Sequence, residues 1–302
     1  MTRLPGIALL AALIAIPDAY SQDTPFQISV DLNLVVLPVT VRDKKGGFAS
    51  DLREQDFQVY EDGVRQSIRV FRHEDIPVTV GLVVDHSGSM QRKMPDVLNG
   101  ARSFVTVSNP EDEMFVVNFN ERVTLGLPPS VPFTNKVEEM ESAILNAPVA
   151  GETALYDAID VALDRLQNSH LEKKVLIVIS DGGDNASAAG LPHILKKAGE
   201  SSAIIYTVGV FDEDDADQNP GVLRRLAKES GGEAFFPTQF NEISSICEGI
   251  AKDIRHQYSI GYVSANTRPG GHRAVRVVAR AAGKDLVVRT REGYIAAGDG
   301  GK

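Results

Sequence analysis

The residues of this chain that could do chemistry follow apolar, strand-like runs. Asp85, Ser87 and Ser89 stand two residues apart, which places a carboxylate and two hydroxyls on the same side of an extended turn. Asp181 follows a second apolar run, and Thr153 stands directly before a helical pattern. All five side chains offer oxygen, the donor that Mg²⁺, Mn²⁺ and Ca²⁺ prefer in proteins. The pattern therefore predicts a site for a hard divalent cation.

Two local alternatives compete with this interpretation. Asp85, Ser87 and Ser89 could cap the following helix, because Asp and Ser are favoured at helix N-termini. Capping would not require a hydroxyl and a carboxylate elsewhere in the chain, so we favour the metal site. Asp157, in the first turn of the helix after Thr153, either supports the site or interacts with the helix dipole.

The elements that must position these residues alternate between strands and helices. Apolar runs rich in Val and Ile predict buried strands, and longer amphipathic patterns predict helices. This alternation predicts an α/β fold with a doubly wound, mostly parallel sheet, whose ligands bind at the carboxyl ends of the strands. The predicted strands are 78–84, 114–119, 175–179 and 204–210, and the predicted helices are 94–107, 136–145, 155–166, 191–198, 221–230 and 240–256.

Both ends of the chain instead show the period of two that is typical of half-buried strands. An Asp-Gly step at residues 62–63 suits a tight turn between two of these runs. Each group is too small for a core of its own, so we expect the two groups to form one smaller β-sandwich-like domain. The runs are 27–41, 57–60, 66–70, 258–263, 274–280 and 286–290.

The first residues have the pattern of a signal peptide. Arg3 precedes an apolar run at 7–16, and small residues follow at 19–21, where we expect cleavage after Ser21. The run is too short for a bilayer, which takes about 20 apolar residues, and no later segment offers a span. We therefore expect an exported protein, periplasmic or secreted. The expected division is signal peptide 1–21, β segment 22–76, α/β domain 77–256 and β segment 257–302, the two β segments packing together.

Composition excludes some classes of function. The 302 residues include 31 Lys and Arg against 41 Asp and Glu, a formal net charge of −10, and 43% are hydrophobic. An acidic chain without a Lys/Arg cluster is not typical of a nucleic-acid binder. The single cysteine, Cys247, lies in a helical pattern and is expected in the core.

The order Asp-x-Ser-x-Ser, Thr and Asp-Gly along residues 77–256 resembles the von Willebrand factor A domain and its metal-ion-dependent adhesion site. Residues 153–159 also have the family's form. The resemblance implies that Ser87, Ser89 and Thr153 ligate a metal directly, and that Asp85 and Asp181 act directly or through bound water. It further implies a protein partner that presents an Asp or Glu carboxylate to the metal.

The flanks are similar to exported A-domain-related proteins abundant in Acidobacteria. The segments that carry this resemblance are 39–44, 55–63, 256–262 and 291–294. It implies the architecture and export, and it implies no activity.

The expected function is a non-enzymatic, exported adhesion or binding module that uses Mg²⁺, or Mn²⁺ or Ca²⁺, to recognise its partner. Two alternatives stay open: a metal-dependent hydrolase that activates water with the same ion, and a structural envelope protein with a vestigial metal site. The sequence contains no Walker A loop, no dinucleotide-binding Gly motif, no Gly-x-Ser-x-Gly elbow and no histidine placed as an evident base, which disfavours the hydrolase.

Overall fold

The computed structural model describes residues 34–211, 217–281, 283 and 285–296. The predicted signal peptide and the alternating residues before Leu34 lie outside the described residues. The described strands are β1 (Leu34–Asp43), β2 (Phe57–Glu61), β3 (Val64–Gln66), β4 (Ile68–Arg72), β5 (Val78–Asp85), β6 (Glu113–Phe119), β7 (Val123–Leu125), β8 (Lys173–Ser180), β9 (Ile204–Gly209), β10 (Ala234–Phe235), β11 (Tyr258–Val263), β12 (His272–Ala279), β13 (Leu286–Arg289) and β14 (Gly293–Ile295). The described α-helices are α1 (Met94–Val107), α2 (Val137–Leu145), α3 (Leu155–Gln167), α4 (Leu191–Glu200), α5 (Pro220–Ser230) and α6 (Glu242–Arg255).

The middle of the chain forms a six-stranded sheet in the order β10-β9-β8-β5-β6-β7. Its pairings are parallel except that of β6 with β7. Every residue of β5 is buried, as expected for a strand covered by helices on both faces. The prediction of an α/β fold with a mostly parallel sheet is confirmed.

The helices form where apolar residues recur about every 3.6 positions, and capping residues mark some of their ends. In α5, the Asn219 side chain accepts the Val222 N–H at 3.3 Å, and Pro220 occupies the first turn. Gly231 then ends the helix with φ +81°, a left-handed conformation that suits glycine. In α3 the residues that face the core recur every three or four positions: Leu155, Ala158, Ile159, Ala162, Leu163 and Leu166.

Strands from both chain ends build two further sheets, in the orders β13-β1-β11-β4 and β14-β12-β2-β3. β1 pairs antiparallel with β11, so residues more than two hundred positions apart become neighbours, as Val39 does with Tyr258. The sheets share a second core that includes Leu37, Val39, Phe57, Val59, Tyr258, Ile260 and Tyr262. The expected β-sandwich-like part is confirmed, whereas the exact domain boundaries stay a prediction.

One predicted strand, 66–70, is divided in the structure. β3 ends at Gln66 and pairs with β2 across the Asp62-Gly63 turn, whereas β4 begins at Ile68 and pairs with β11 in the other sheet. The chain thus crosses between sheets at Ser67, a change that a period of two cannot reveal. The short strands β7, β10 and β14 also escaped prediction, because segments of two or three residues depend on their partners rather than on their own pattern.

Candidate metal centre

The two loops that carry the predicted carboxylates follow neighbouring strands. β5 ends at Asp85 and β8 ends at Ser180, and the two strands run parallel with Val84 beside Ile179. Because parallel strands end at the same edge of a sheet, Asp85 and Asp181 emerge side by side. The strand order therefore brings together two segments that are far apart in sequence.

Four of the five predicted side chains lie in one hydrogen-bonded group. The Oγ atoms of Ser87 and Ser89 are 3.2 Å apart, and Ser89 Oγ donates to Asp181 Oδ2 at 2.8 Å. Ser180 Oγ donates to Asp85 Oδ2 at 2.7 Å and links the β8 end to the β5 end. Sequence analysis had given Ser180 no role, although a polar residue that closes an apolar strand beside Asp181 was a usable signal.

The backbone of each loop is turned so that its carboxylate is held in place. Asp85 Oδ1 accepts the Ser87 N–H at 2.8 Å, and Asp181 Oδ1 accepts the Gly183 N–H at 3.0 Å. Gly182 has φ +81°, and a Cβ there would lie 2.4 Å from the Asn219 carbonyl oxygen. Only glycine fits this position, so the loop after β8 can pass close to the start of α5.

Thr153 lies on a third loop that adjoins the first. Gly88 N–H donates to the Gly151 carbonyl at 3.2 Å, and the Thr153 N–H donates to Asn185 Oδ1 at 2.8 Å. Thr153 is 8% exposed. Asn185, which holds this loop against the segment after β8, was not identified from the sequence.

The local alternatives have clear outcomes. Ser87 precedes a 3₁₀ turn, Gly88–Met90, without a side-chain capping bond, and α1 is preceded by Lys93, so helix capping by the two serines is wrong. Asp157 accepts the N–H groups of Ala188 and Ala189 at 2.9 and 2.8 Å. Asp157 therefore positions the segment before α4 rather than contacting the hydroxyl and carboxylate group.

The two carboxylates of the candidate site are buried close together, which disfavours their charged forms. Asp85 is 0% exposed and Asp181 is 3% exposed. Burial, and then the charge of Asp181, raise the pKa of Asp85 to about 6, although hydrogen bonds from Ser87 and Ser180 oppose the shift. A positive ion between the two loops would offset the electrostatic repulsion between the two carboxylates.

The donor set fits a hard divalent cation. It combines two carboxylates with neutral hydroxyls, and all donors are oxygen. In the part of the chain that the structure describes, no three His, Cys, Asp or Glu side chains are grouped as metal ligands. A cation here would depend on the serines and the threonine as well as the two carboxylates.

A family model of the von Willebrand factor type A domain matches residues 79–248. The match covers more than half of the chain and includes all five predicted ligands. The sheet order, the loop constellation and this match define a von Willebrand factor A-domain protein. This chain belongs to that family.

One solved structure agrees with this fold, and two others have weaker similarity to the chain. The von Willebrand factor type A protein from Catenulispora acidiphila is 13% identical with a TM-score of 0.52, and the match covers 90% of this chain and 77% of that one. The vWF domain of the type V pili tip protein Mfa5 from Porphyromonas gingivalis is 13% identical, with a TM-score of 0.49 and coverage of 60% and 95%. Proximal thread matrix protein 1 from the mussel byssus, with a zinc-occupied MIDAS motif, is 17% identical, with a TM-score of 0.48 and coverage of 65% and 50%.

Such low identity shows the fold alone. A search of curated proteins gives no match to this chain. Among the helices of the described ranges, none is both long and apolar enough to cross a membrane.

Proposed function

We propose that this protein is an exported, non-catalytic binding module that recognises a protein partner through a divalent cation, Mg²⁺ or else Mn²⁺ or Ca²⁺. Asp85, Ser87, Ser89, Thr153 and Asp181 would hold the ion. The observation that carries the proposal is the 2.8 Å hydrogen bond from Ser89 Oγ to Asp181 Oδ2, which joins the loops after β5 and β8. If the serines only capped a helix, a hydrogen bond between Ser89 and Asp181 would not be needed.

The chemistry of the donor set supports binding rather than turnover. When bound, the ion supplies a Lewis-acidic centre that accepts an anionic oxygen. Ser87, Ser89 and Thr153 contribute no charge, so two carboxylates offset the ion only in part and leave it able to attract a partner's Asp or Glu. His86, the histidine within the first loop, is 1% exposed and hydrogen-bonded to Asn118 at 3.1 Å, which removes it as a mobile base.

Calorimetric titration of the metal-stripped mature protein, residues 22–302, tests the site. We expect one saturable event with Mg²⁺, Mn²⁺ or Ca²⁺, and its loss in Asp85→Ala. Asp157→Asn is a matched control, because Asp157 binds backbone N–H groups of another segment. Absence of binding to the wild-type protein, or equal losses in both variants, would contradict the proposed metal site.

The partner class has its own test. Immobilised protein should retain peptides that present an Asp or Glu carboxylate when Mg²⁺ is present, and release them when EDTA is added. The same peptides with Asn or Gln should not be retained, because a neutral amide lacks the anionic oxygen. An enzymatic assay tests the alternative. If the protein hydrolysed phosphate esters or peptides with Mg²⁺, and Asp85→Ala abolished this activity, the protein would be a metal-dependent hydrolase and the binding proposal would be wrong.

The raised pKa of Asp85 predicts opposite effects of pH with and without metal. Since the folded-state pKa of about 6 lies above the ordinary value of 3.8 for an aspartate, ionisation of Asp85 disfavours the metal-free fold as pH rises through this window. Metal binding requires the ionised form, so affinity should fall about tenfold from pH 7 to pH 5 as protons compete. Denaturant titrations at several pH values measure the stability of the metal-free protein, and calorimetry at the same pH values measures the metal affinity. Asp85→Asn should remove the pH dependence of the stability.

A further inference from the structure

A cavity of about 600 Å³ is lined by none of the candidate metal ligands. Its walls come from α5, from β10, and from β12, β13 and the residues after β13. α5 begins beside the metal loops, where the Asn219 N–H donates to the Asp181 carbonyl, and its residues Arg224, Ala227 and Lys228 line the cavity. The metal loops contact the start of α5, whereas the cavity lies along its middle and last turns.

Strand edges from all three sheets converge on this cavity, which we call the edge groove. β10 is the last strand of the six-stranded sheet, and β13 is the last strand of its own sheet. β12 pairs with β14 only over His272–Ala274 and with β2 from Val275 to Ala279. The Val275 N–H also donates to the Glu292 carbonyl at 2.7 Å, so one side of β12 has no strand partner among the described residues only beyond Val275. Such edges present backbone N–H and C=O groups to an added strand.

The edge groove is cationic although the chain is acidic. Five cationic and two acidic side chains line it. Both acids are already engaged, Glu292 with Lys228 at 3.0 Å and Glu233 with Arg289 at 3.6 Å. The other cationic side chains are Arg224, Arg276 and Arg291, and in the described ranges none of these three has a carboxylate within ion-pair distance.

Arg291 is a buried arginine of the groove whose hydrogen bonds are incomplete. It is 7% exposed, its Nη2 donates to the Ser201 carbonyl at 2.7 Å, and its Nε has no hydrogen-bond partner within the described structure. Burial lowers the pKa of Arg291, with the charge of Glu229 opposing the shift. A buried guanidinium without a paired carboxylate is costly, and an anion in the groove would compensate it.

The two exposed arginines are held in place by aromatic rings. The Arg224 guanidinium lies 4.3 Å from the Phe236 ring centroid, and that of Arg276 lies 4.4 Å from the Tyr60 ring centroid. Such stacking orders a long side chain before any ligand arrives, while its N–H groups stay available at the ring edge. The groove thus combines ordered cations with unpaired strand edges.

We propose that the edge groove binds an extended acidic segment of a partner protein by strand addition, with carboxylates directed to Arg224, Arg276 and Arg291. A strand projects alternate side chains to one face, so every second residue of the segment can be acidic. The strand edges favour a peptide over a small anion, which could satisfy the guanidinium groups but not the backbone. This site is independent of the proposed metal function.

Fluorescence anisotropy tests the groove with a labelled decapeptide of alternating Glu and Val and the mature protein in EDTA. We expect saturable binding that Asp181→Asn leaves unchanged. A decapeptide of alternating Glu and Pro has the same charge but lacks N–H groups at its prolines, and it should bind at least about tenfold more weakly. Equal binding of the two peptides would overturn strand addition.

Charge-reversal variants locate the binding. Arg224→Glu and Arg276→Glu should each weaken the Glu-Val peptide at least about tenfold. Arg102→Glu is the matched control, because Arg102 is an exposed helical arginine on α1 that contacts Glu141, and we expect less than about a threefold change. Equal losses in all three variants would show a general charge effect. If neither peptide bound, the arginines would only protect the strand edges from association. Either this result or equal losses in all three variants would overturn the proposal.

Discussion

Asp181→Asn is expected to lower the affinity for Mg²⁺ on the order of 100-fold or more while the fold stays intact. Removal of groups that merely orient metal ligands already costs up to about 100-fold. Asn retains an oxygen that can accept the Gly183 N–H, so the loop conformation should persist. Calorimetry measures the affinity, and circular dichroism measures the fold.

The same variant should not destabilise the metal-free protein. The charge of Asp181 contributes to the raised pKa of Asp85, so its removal relieves repulsion between two buried carboxylates. The control is Glu152→Gln, which neutralises an exposed acid next to Thr153 and should change the affinity little. An unfolded Asp181→Asn protein would make the site structural, and equal losses in both variants would indicate a diffuse charge effect.

Asp253→Asn is expected to cost about 3–5 kcal/mol of unfolding free energy, because it leaves two arginines without their buried counter-charge. The Asp253 side chain is 1% exposed and contacts Arg42 at 3.0 Å as well as Arg289. It also accepts a hydrogen bond of 2.5 Å from the Tyr206 hydroxyl. These contacts tie α6 to β1, β13 and β9. Urea titration at pH 7 measures the loss.

The pKa of Asp253 gives this prediction a pH signature. Burial alone would raise the pKa, but the charge of Arg289 and hydrogen bonds from Tyr206, Arg289 and Arg42 lower it below the ordinary value of 3.8 for an aspartate. The stabilisation is therefore present above about pH 4 and is lost as pH falls through the folded-state pKa. The difference between the wild-type protein and Asp253→Asn should shrink in strong acid.

Asp75→Asn is the matched control for Asp253. Asp75 also pairs with an arginine, Arg255 at 2.6 Å, but its side chain is 50% exposed. Exposed pairs contribute about 0–1 kcal/mol, so this variant should stay close to the wild-type protein. Equal losses in Asp253→Asn and Asp75→Asn would contradict the role of Asp253 as the buried link between α6 and the flanking strands.

Much of the candidate site could be proposed from local sequence. Asp85, Ser87 and Ser89 are separated by fixed short intervals, and their relation depends on one turn. The buried strands and amphipathic helices were also readable, because apolar periodicity is a property of neighbouring residues. The predicted bounds of α1 and β11 agree with the structure. Charge and composition, which need no structure, disfavoured a nucleic-acid binder.

Other parts of the molecule depend on residues that meet only after folding. Ser89 and Asp181 are 92 positions apart, and Arg42 and Asp253 are 211 positions apart. No local pattern encodes such pairs, because each half is an ordinary polar residue on its own. The passage from β3 to β4 at Ser67 has the same origin, since the choice of sheet depends on β11, almost two hundred positions away.

The sequence by itself therefore determined the element types, the turn at Asp85 to Ser89 and the candidate ligands, since these follow from short-range spacing. Only the tertiary structure decided which loops meet, because strand order is set by the burial of whole faces. It also decided that Asp157 holds a neighbouring segment, that Asp253 links α6 to the flanking strands, and that three sheet edges enclose a cationic groove. Those relations arise when distant residues share one buried space, where charge and hydrogen bonding have their largest effect.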